Sequence, residues 1–248
     1  MIRVHQLSFQ YPQAKTPALD GLSLDVPRGS LYGLLGPNGS GKTTLLSLIS
    51  GILRAPRLAI HVDGQDLSGH LAEVQAFSAL VPQDLAFYPR MTVQENLDFF
   101  AGVRGYRGAD ARTRVEEAVR MASLEASQGQ IAERCSGGIK RRLNIAIGML
   151  NRPRLLLLDE PTVGIDPQSR RFILQSVKAI HAAGTTVVYT SHYMEEVQDL
   201  CDTVGVMDHG RLLAQGDLKT LLASGHRGGA AKDLEELFLQ LTEHALRD

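Results

Sequence analysis

The chain has 248 residues, 44% of them apolar, which is enough to bury a sizeable core and excludes fibrous, collagen-like and wholly disordered chains. Lys and Arg number 26 against 27 Asp and Glu, and the net charge of −1 leaves no global basic excess of the kind that holds nucleic acid. Cys135 and Cys201, the only two cysteines, are too few and too far apart for a zinc cluster or a disulfide framework, so a reducing, cytosolic compartment is expected.

Met1-Ile2-Arg3-Val4-His5 lacks the long apolar stretch of a secretory signal, and no apolar run approaches the ~18 residues that span a bilayer, so any membrane role is expected to go through a partner. Val4 to Tyr11, Leu22 to Val26 and Leu58 to Val62 are β-rich or alternating and predict a small antiparallel β part. Leu31 to Leu35, Phe77 to Val81, Leu155 to Leu158, Thr185 to Tyr189 and Val204 to Met207 are short apolar runs punctuated by glycine. They predict buried strands, and with helical patterns between several of them they point to an α/β fold with a largely parallel sheet. From Met91 to Gln130 the strand signals vanish, and Val93, Leu97, Phe100, Val115, Ala118, Val119 and Ala122 fall at helical spacings, as an all-helical insertion would. Near the end, Ser224 to Gly229 reads as a flexible linker. Asp233 then caps a helix with Glu236 at the capping-box spacing, and Leu234, Leu237, Phe238, Leu241 and Ala245 form one apolar stripe expected to pack on its own domain.

Gly36-Pro37-Asn38-Gly39-Ser40-Gly41-Lys42-Thr43-Thr44 matches the phosphate-loop (Walker A) pattern G-x-x-x-x-G-K-[ST], and it stands between a predicted strand and the helical Leu45 to Ser50, as the motif requires. Its glycines let successive N–H groups and a helix N-terminus face an anion; Lys42 is expected to reach the β- and γ-phosphates and the Thr43 hydroxyl to ligate Mg²⁺. Leu155 to Leu158 ends in Asp159-Glu160. A carboxylate at the C-terminal end of a parallel strand lies where Asp159 can hold a Mg²⁺ shell and Glu160 can orient or deprotonate an attacking water; taken alone, the pair also reads as a solvated strand end.

With these residues in place, the chain resembles the nucleotide-binding subunit of an ATP-binding cassette (ABC) transporter over nearly its whole length, a P-loop NTPase core with an antiparallel β subdomain and an α-helical subdomain. The identifying feature is Cys135-Ser136-Gly137-Gly138-Ile139, similar to the family signature LSGGQ. Ser136 as N-cap with Gly137 and Gly138 ahead of the helix Lys140 to Leu150 suits a second anion site, and the resemblance implies that it meets the γ-phosphate held by the opposing subunit. The resemblance further implies a Q-loop glutamine at Gln83 that senses metal and water, a switch histidine at His192 and a D-loop aspartate at Asp166. It also implies an adenine-stacking aromatic at Tyr11, which on chemistry alone reads equally as a strand-end core residue. It implies ATP and Mg²⁺ as cofactors, with Thr43, Gln83 and Asp159 as metal ligands, and an ABC domain over residues 1–223. A helical subdomain of about residues 84–150 is inserted in that domain, and a linker and amphipathic helix follow over 224–248.

Two departures stand out: Cys135 replaces leucine and Ile139 replaces glutamine, yet hydrolysis is expected to survive because amides, not the glutamine, would bind phosphate. A thiol just before a helix N-terminus can have a lowered pKa, so alkylation of Cys135 is expected to block ATP hydrolysis, with ATP protecting it. Lys140-Arg141-Arg142 reads as a solvated helix face. The implied function is ATP-driven dimer closure that powers a polytopic membrane subunit, at the cytoplasmic face of the cell membrane. The second nucleotide-binding subunit would be another copy or a related chain. The segments Tyr88 to Asn96 and Leu234 to Leu239 resemble those of subunits of bacterial export systems, and that resemblance favours export. A soluble ABC protein acting on nucleic acid or ribosomes is the alternative, disfavoured by the lack of a long coiled coil or a second cassette. Lys42, Asp159, Glu160 and His192 speak against an inactive regulatory module.

Overall fold

Buried and less buried residues alternate along β1 (Ile2–Phe9) and β2 (Leu19–Val26), which leaves each strand one face for the core, and the two pair antiparallel from Ile2↔Val26 to Phe9↔Leu19. β3 (Leu31–Leu35), buried at every position, leads into α1 (Lys42–Ile49). β4 (Ile60–Val62) joins the other side of β1 and β5 (Gln65–Asp66) pairs with it, completing a four-stranded sheet of order β2-β1-β4-β5, and α2 (Leu71–Phe77) follows. The computed structural model describes residues 1–225 and 229–242. These separate into two units: Met1–Gln75 together with the described residues from Thr186 onward, and Ala76–Thr185.

The second unit begins with β6 (Ser78–Val81) and continues through α3 (Val93–Val103), α4 (Gly108–Met121), α5 (Gly137–Met149), β7 (Leu155–Asp159) and α6 (Pro167–Ala182). β6 and β7 run parallel from Ser78↔Leu155 to Val81↔Leu158. Leu97 of α3, Val119 of α4 and Leu143 of α5 meet in one buried cluster, where each large aliphatic side chain contributes about 1.5–3 kcal/mol. Thr92 starts α3 with a complete capping box: its hydroxyl accepts from the Glu95 amide at 3.1 Å, and its own amide donates to the Glu95 carboxylate at 2.7 Å.

Back in the first unit, β8 (Thr186–Ser191), α7 (Met194–Leu200), β9 (Thr203–Asp208), β10 (Arg211–Asp217), α8 (Leu218–Ser224) and α9 (Leu234–Thr242) complete the chain order. β3 is flanked by β8 and β9, both parallel to it, and β10 closes antiparallel on β9. A strand covered on both faces reads as an unbroken apolar run, which is why the sequence of β3 shows no alternation. Gly33 sits mid-strand because a Cβ there would stand 2.2 Å from Cγ1 of Val197 on α7.

The expected mix of parallel strands, an antiparallel β part and a run of helices is what the chain adopts. Differences are local. Phe77 ends α2 instead of opening a strand, and β1 stops at Phe9, two residues before Tyr11. α5 begins at Gly137 and not at Lys140, since the Ser136 cap outweighs the low helix propensity of two glycines. Asp233 does accept from the Glu236 amide at 2.9 Å, but the Glu236 carboxylate takes the Lys232 amide, one residue outside the capping box. Leu234 and Leu237 are buried and α9 packs on α7 within its own unit; Ala245 and residues 226–228 of the expected linker lie outside the described residues. No described helix is long and apolar enough to cross a membrane.

Candidate functional site

In the first unit, β3 delivers the chain into a turn that only glycine can make at its entry. A Cβ on Gly36 would stand 2.4 Å from the Met207 carbonyl and 2.6 Å from the Ser40 hydroxyl. Pro37, Asn38 and Gly39 form the exposed tip. Gly41, at φ 104, is the N-cap of α1 and supplies no side-chain cap, so the first-turn amides of Lys42, Thr43 and Thr44 have no capping side chain. The Lys42 ammonium, 4% exposed, donates to the carbonyls of Gly36 at 2.7 Å and Pro37 at 3.1 Å and so braces the loop. The buried Ser40 hydroxyl has no hydrogen-bond partner among the described residues. A glycine cradle, an uncapped helix N-terminus, an ammonium and an unsatisfied hydroxyl together make a site that fits a polyphosphate.

Tyr11 stands edge-on to Phe9, 40% exposed, with its hydroxyl 3.2 Å from that of Thr44. It is thus neither a core residue nor remote from the loop. His192 leaves the sheet beside the same loop, because Ser191 at the end of β8 pairs with Leu35 at the end of β3. Its turn is held by side chains the sequence reading missed. Glu196, buried, accepts from Tyr189 Oη at 2.7 Å and Ser191 Oγ at 3.4 Å, while Ser191 Oγ takes the Tyr193 amide at 2.9 Å.

In the second unit, the register Val81↔Leu158 puts Gln83 just beyond the end of β6 and the Asp159-Glu160 pair at the end of the neighbouring β7. Asp159 and Glu160 are 3% and 5% exposed, so the solvated strand-end alternative does not hold. Glu160 has a left-handed backbone, φ 43, a conformation that costs a non-glycine residue about 1 kcal/mol or more and recurs at functional sites. Ser136 caps α5 by accepting the Ile139 amide at 3.3 Å. Gly138 and Asp166 meet through α6: a Cβ on Gly138 would stand 2.0 Å from Ser169 Oγ, and Asp166 caps that helix by accepting the Ser169 amide at 3.0 Å. The Ser169 amide and hydroxyl hold the Asp166 carboxyl below its ordinary range.

Two expectations fail here. Cys135 is buried in the helical cluster with its Sγ 3.6 Å from the Ile131 carbonyl, and burial raises its thiol pKa instead of lowering it. Ser136, not Cys135, occupies the cap. Because the thiolate is the nucleophile, the folded protein is expected to resist iodoacetamide at pH 7 and to react only on alkaline shift or unfolding. Mass spectrometry of treated protein checks this, and stoichiometric labelling at neutral pH within minutes would sink it. Arg141 and Arg142 are not a solvated face either. Arg141 is 5% exposed and donates to Pro82 O, and Arg142 reaches the carbonyls of Ala122 and Ser123 and lies over the Phe172 ring. Ile139 is half-buried and packs against the helical cluster.

A family model described as "ABC transporter" matches residues 19–163, a span that takes in the phosphate loop, Gln83, Ser136 to Gly138, Asp159 and Glu160. The chain is 43% identical over 210 residues to the linearmycin resistance ATP-binding protein LnrL of Bacillus subtilis, covering 85% of this chain and 67% of that one. It is 39% identical over 212 residues to the daunorubicin/doxorubicin resistance ATP-binding protein DrrA of Streptomyces peucetius, covering 84% of this chain and 64% of that one. With the Nod factor export ATP-binding protein I of Ralstonia nicotianae the figures are 39% over 198 residues, 80% and 62%. The chain thus spans about two thirds of the length of these curated relatives. A solved ATP binding subunit of an ABC transporter superposes with a TM-score of 0.84 at 27% identity, covering 98% of this chain and 99% of that one. The dimeric bacterial ABC transporter cassette MJ0796 superposes with a TM-score of 0.79 at 25% identity, covering 88% and 99%.

Proposed function

The chain belongs to the ABC transporter family, and on that premise we propose that it binds and hydrolyses ATP as the energising subunit of a membrane exporter. The observation that carries the reading is the phosphate loop: a glycine-shaped turn into an α1 N-terminus without a side-chain cap, braced by the Lys42 ammonium. Export is favoured because relatives bear resistance and export names.

In this reading Gly36 to Thr44 hold the phosphates, with Lys42 neutralising charge at the β- and γ-positions. Tyr11 stacks on the adenine. Glu160 accepts a proton from the attacking water, and His192 holds the γ-phosphate side of the reaction. The donors named for the metal, the Thr43 hydroxyl, the Gln83 amide and the Asp159 carboxylate, are all hard oxygens suited to Mg²⁺. Bound Mg²⁺ would neutralise charge developing across the β- and γ-phosphates. Ser136, Gly137, Gly138 and Asp166 face the nucleotide of a second subunit, another copy or a related chain. The helical block, about residues 84–150, receives a polytopic membrane subunit near Gln83 at the cytoplasmic face. Tagging the chain in its native cells and identifying what co-purifies from detergent-solubilised membranes tests this. A polytopic membrane protein in stoichiometric amount is expected, whereas ribosomes or DNA-bound proteins without one would replace the transporter reading with the alternative.

A further inference from the structure

The loop that follows β6 carries Gln83 through a run of exposed residues, 83 to 86, with neither strand nor helix to hold it. What holds it is α5. Asn144 Nδ2 donates to Pro82 O at 3.2 Å and to Asp84 O at 3.4 Å, and its Oδ1 accepts the Ala86 amide at 3.0 Å. Arg141 Nη1 donates to the same Pro82 carbonyl at 3.1 Å. Pro82 and Asp84 are the two chain neighbours of Gln83, so its position is clamped from both sides by groups that do not touch the glutamine itself. Arg141 and Asn144 are spaced to lie on one helix face, and both are buried, at 5% and 3% exposure. The later part of the loop has a different support: Asn96 of α3 takes the Tyr88 amide at 2.7 Å and donates to Tyr88 O at 2.9 Å.

The helix that grips the Gln83 segment is the one whose N-terminus is Ser136-Gly137-Gly138. Asn144 lies only about 12 Å along the axis from the Ser136 cap at ~1.5 Å per residue, a distance over which an α-helix moves as a rigid rod. We infer that Arg141 and Asn144 are positioning residues that lock the Gln83 loop to the signature helix. Engagement of a phosphate at Ser136 to Gly138 and the placement of Gln83 are then set as one body. This rests on the ATPase reading above and adds to it the link between two of its parts. One amide using donor and acceptor together explains why asparagine serves at 144: alanine loses every contact, and aspartate, an acceptor only, would turn a carboxylate oxygen toward two carbonyls.

The test is steady-state ATP hydrolysis by the wild type, Asn144→Ala, Arg141→Met and Arg141→Lys, with a thermal melt of each. Misplacing a group that acts on the reacting atoms without touching nucleotide-binding residues is expected to lower kcat about tenfold to a hundredfold in Asn144→Ala and Arg141→Met, with KM for ATP held within about twofold. Arg141→Lys, which keeps a donor for Pro82 O, is expected to recover most of the loss. A general packing defect would instead lower the melting temperature of all three variants alike and spare the kcat of whatever remains folded. Wild-type kcat in Asn144→Ala with a cooperative melt overturns the inference alone; a wild-type chain inert toward ATP overturns the ATPase reading and the inference with it.

Discussion

Glu160→Gln is expected to slow ATP turnover by about two to four orders of magnitude while leaving nucleotide binding intact, the loss that removal of a positioned general base produces. The two side chains are isosteric, so the buried pocket at the end of β7 stays filled and the left-handed backbone at φ 43 is equally tolerated or equally strained in both. What changes is proton affinity: an amide cannot take the proton that water must lose. Binding rests on other groups, chiefly Gly36 to Thr44, and survives. ATP should therefore accumulate unhydrolysed, and with it a nucleotide-dependent dimer. Single-turnover phosphate release and light scattering after size exclusion measure the two effects. Phosphate release within threefold of wild type would remove Glu160 from the role of base.

Lys42→Ala is expected to fail one step earlier. The ammonium is almost fully buried and already bonded to the Gly36 and Pro37 carbonyls, so it both shapes the loop and supplies its cationic charge. Hydrogen bonds to charged groups contribute about 1.5–3 kcal/mol each, and the loss of even one to a phosphate weakens affinity roughly tenfold to a hundredfold. Titration with a fluorescent ATP analogue reads this directly. The contrast between the variants is the diagnostic: weakened binding in Lys42→Ala, intact binding with slowed turnover in Glu160→Gln. Equal affinity in Lys42→Ala and wild type would detach the lysine from the phosphates.

The parts of the site that could be read from sequence are those whose chemistry is carried by near neighbours. Gly36 to Thr44 is one contiguous turn, and Asp159-Glu160 ends a strand whose apolar run is unmistakable. The supports around them could not be read in the same way. Arg141 and Arg142 look like solvent-facing charge because most arginines are, and nothing within α5 says that their partners are the carbonyls of Pro82, Ala122 and Ser123 on other elements. Asn144 and Glu196 carry no local pattern either; only the fold brings Ala86 to one and Tyr189 to the other. Cys135 misled for the opposite reason. The helix N-terminus favours negative charge at the cap residue, Ser136; one position earlier the Cys135 side chain turns into the helical core. The start of α5 was only half legible: Ser136 is recognisable as its cap, but the low helix propensity of Gly137 and Gly138 points to a later first turn than the chain adopts.

The chain's path between its two units bears on the order in which they are made. Residues 76–185 are contiguous, so once the ribosome has released them every partner in that unit is present. The first unit has no such freedom: β3 emerges early, yet both of its neighbours, β8 and β9, are synthesised only after the whole second unit. Until then an uncovered, wholly apolar strand and the phosphate loop attached to it wait for partners, a long-range pairing of the kind that folds slowly and exposes chains to aggregation. Truncation anywhere before Thr186 would leave β3 without either parallel neighbour, which makes the final quarter of the chain decisive for whether the nucleotide loop ever takes shape.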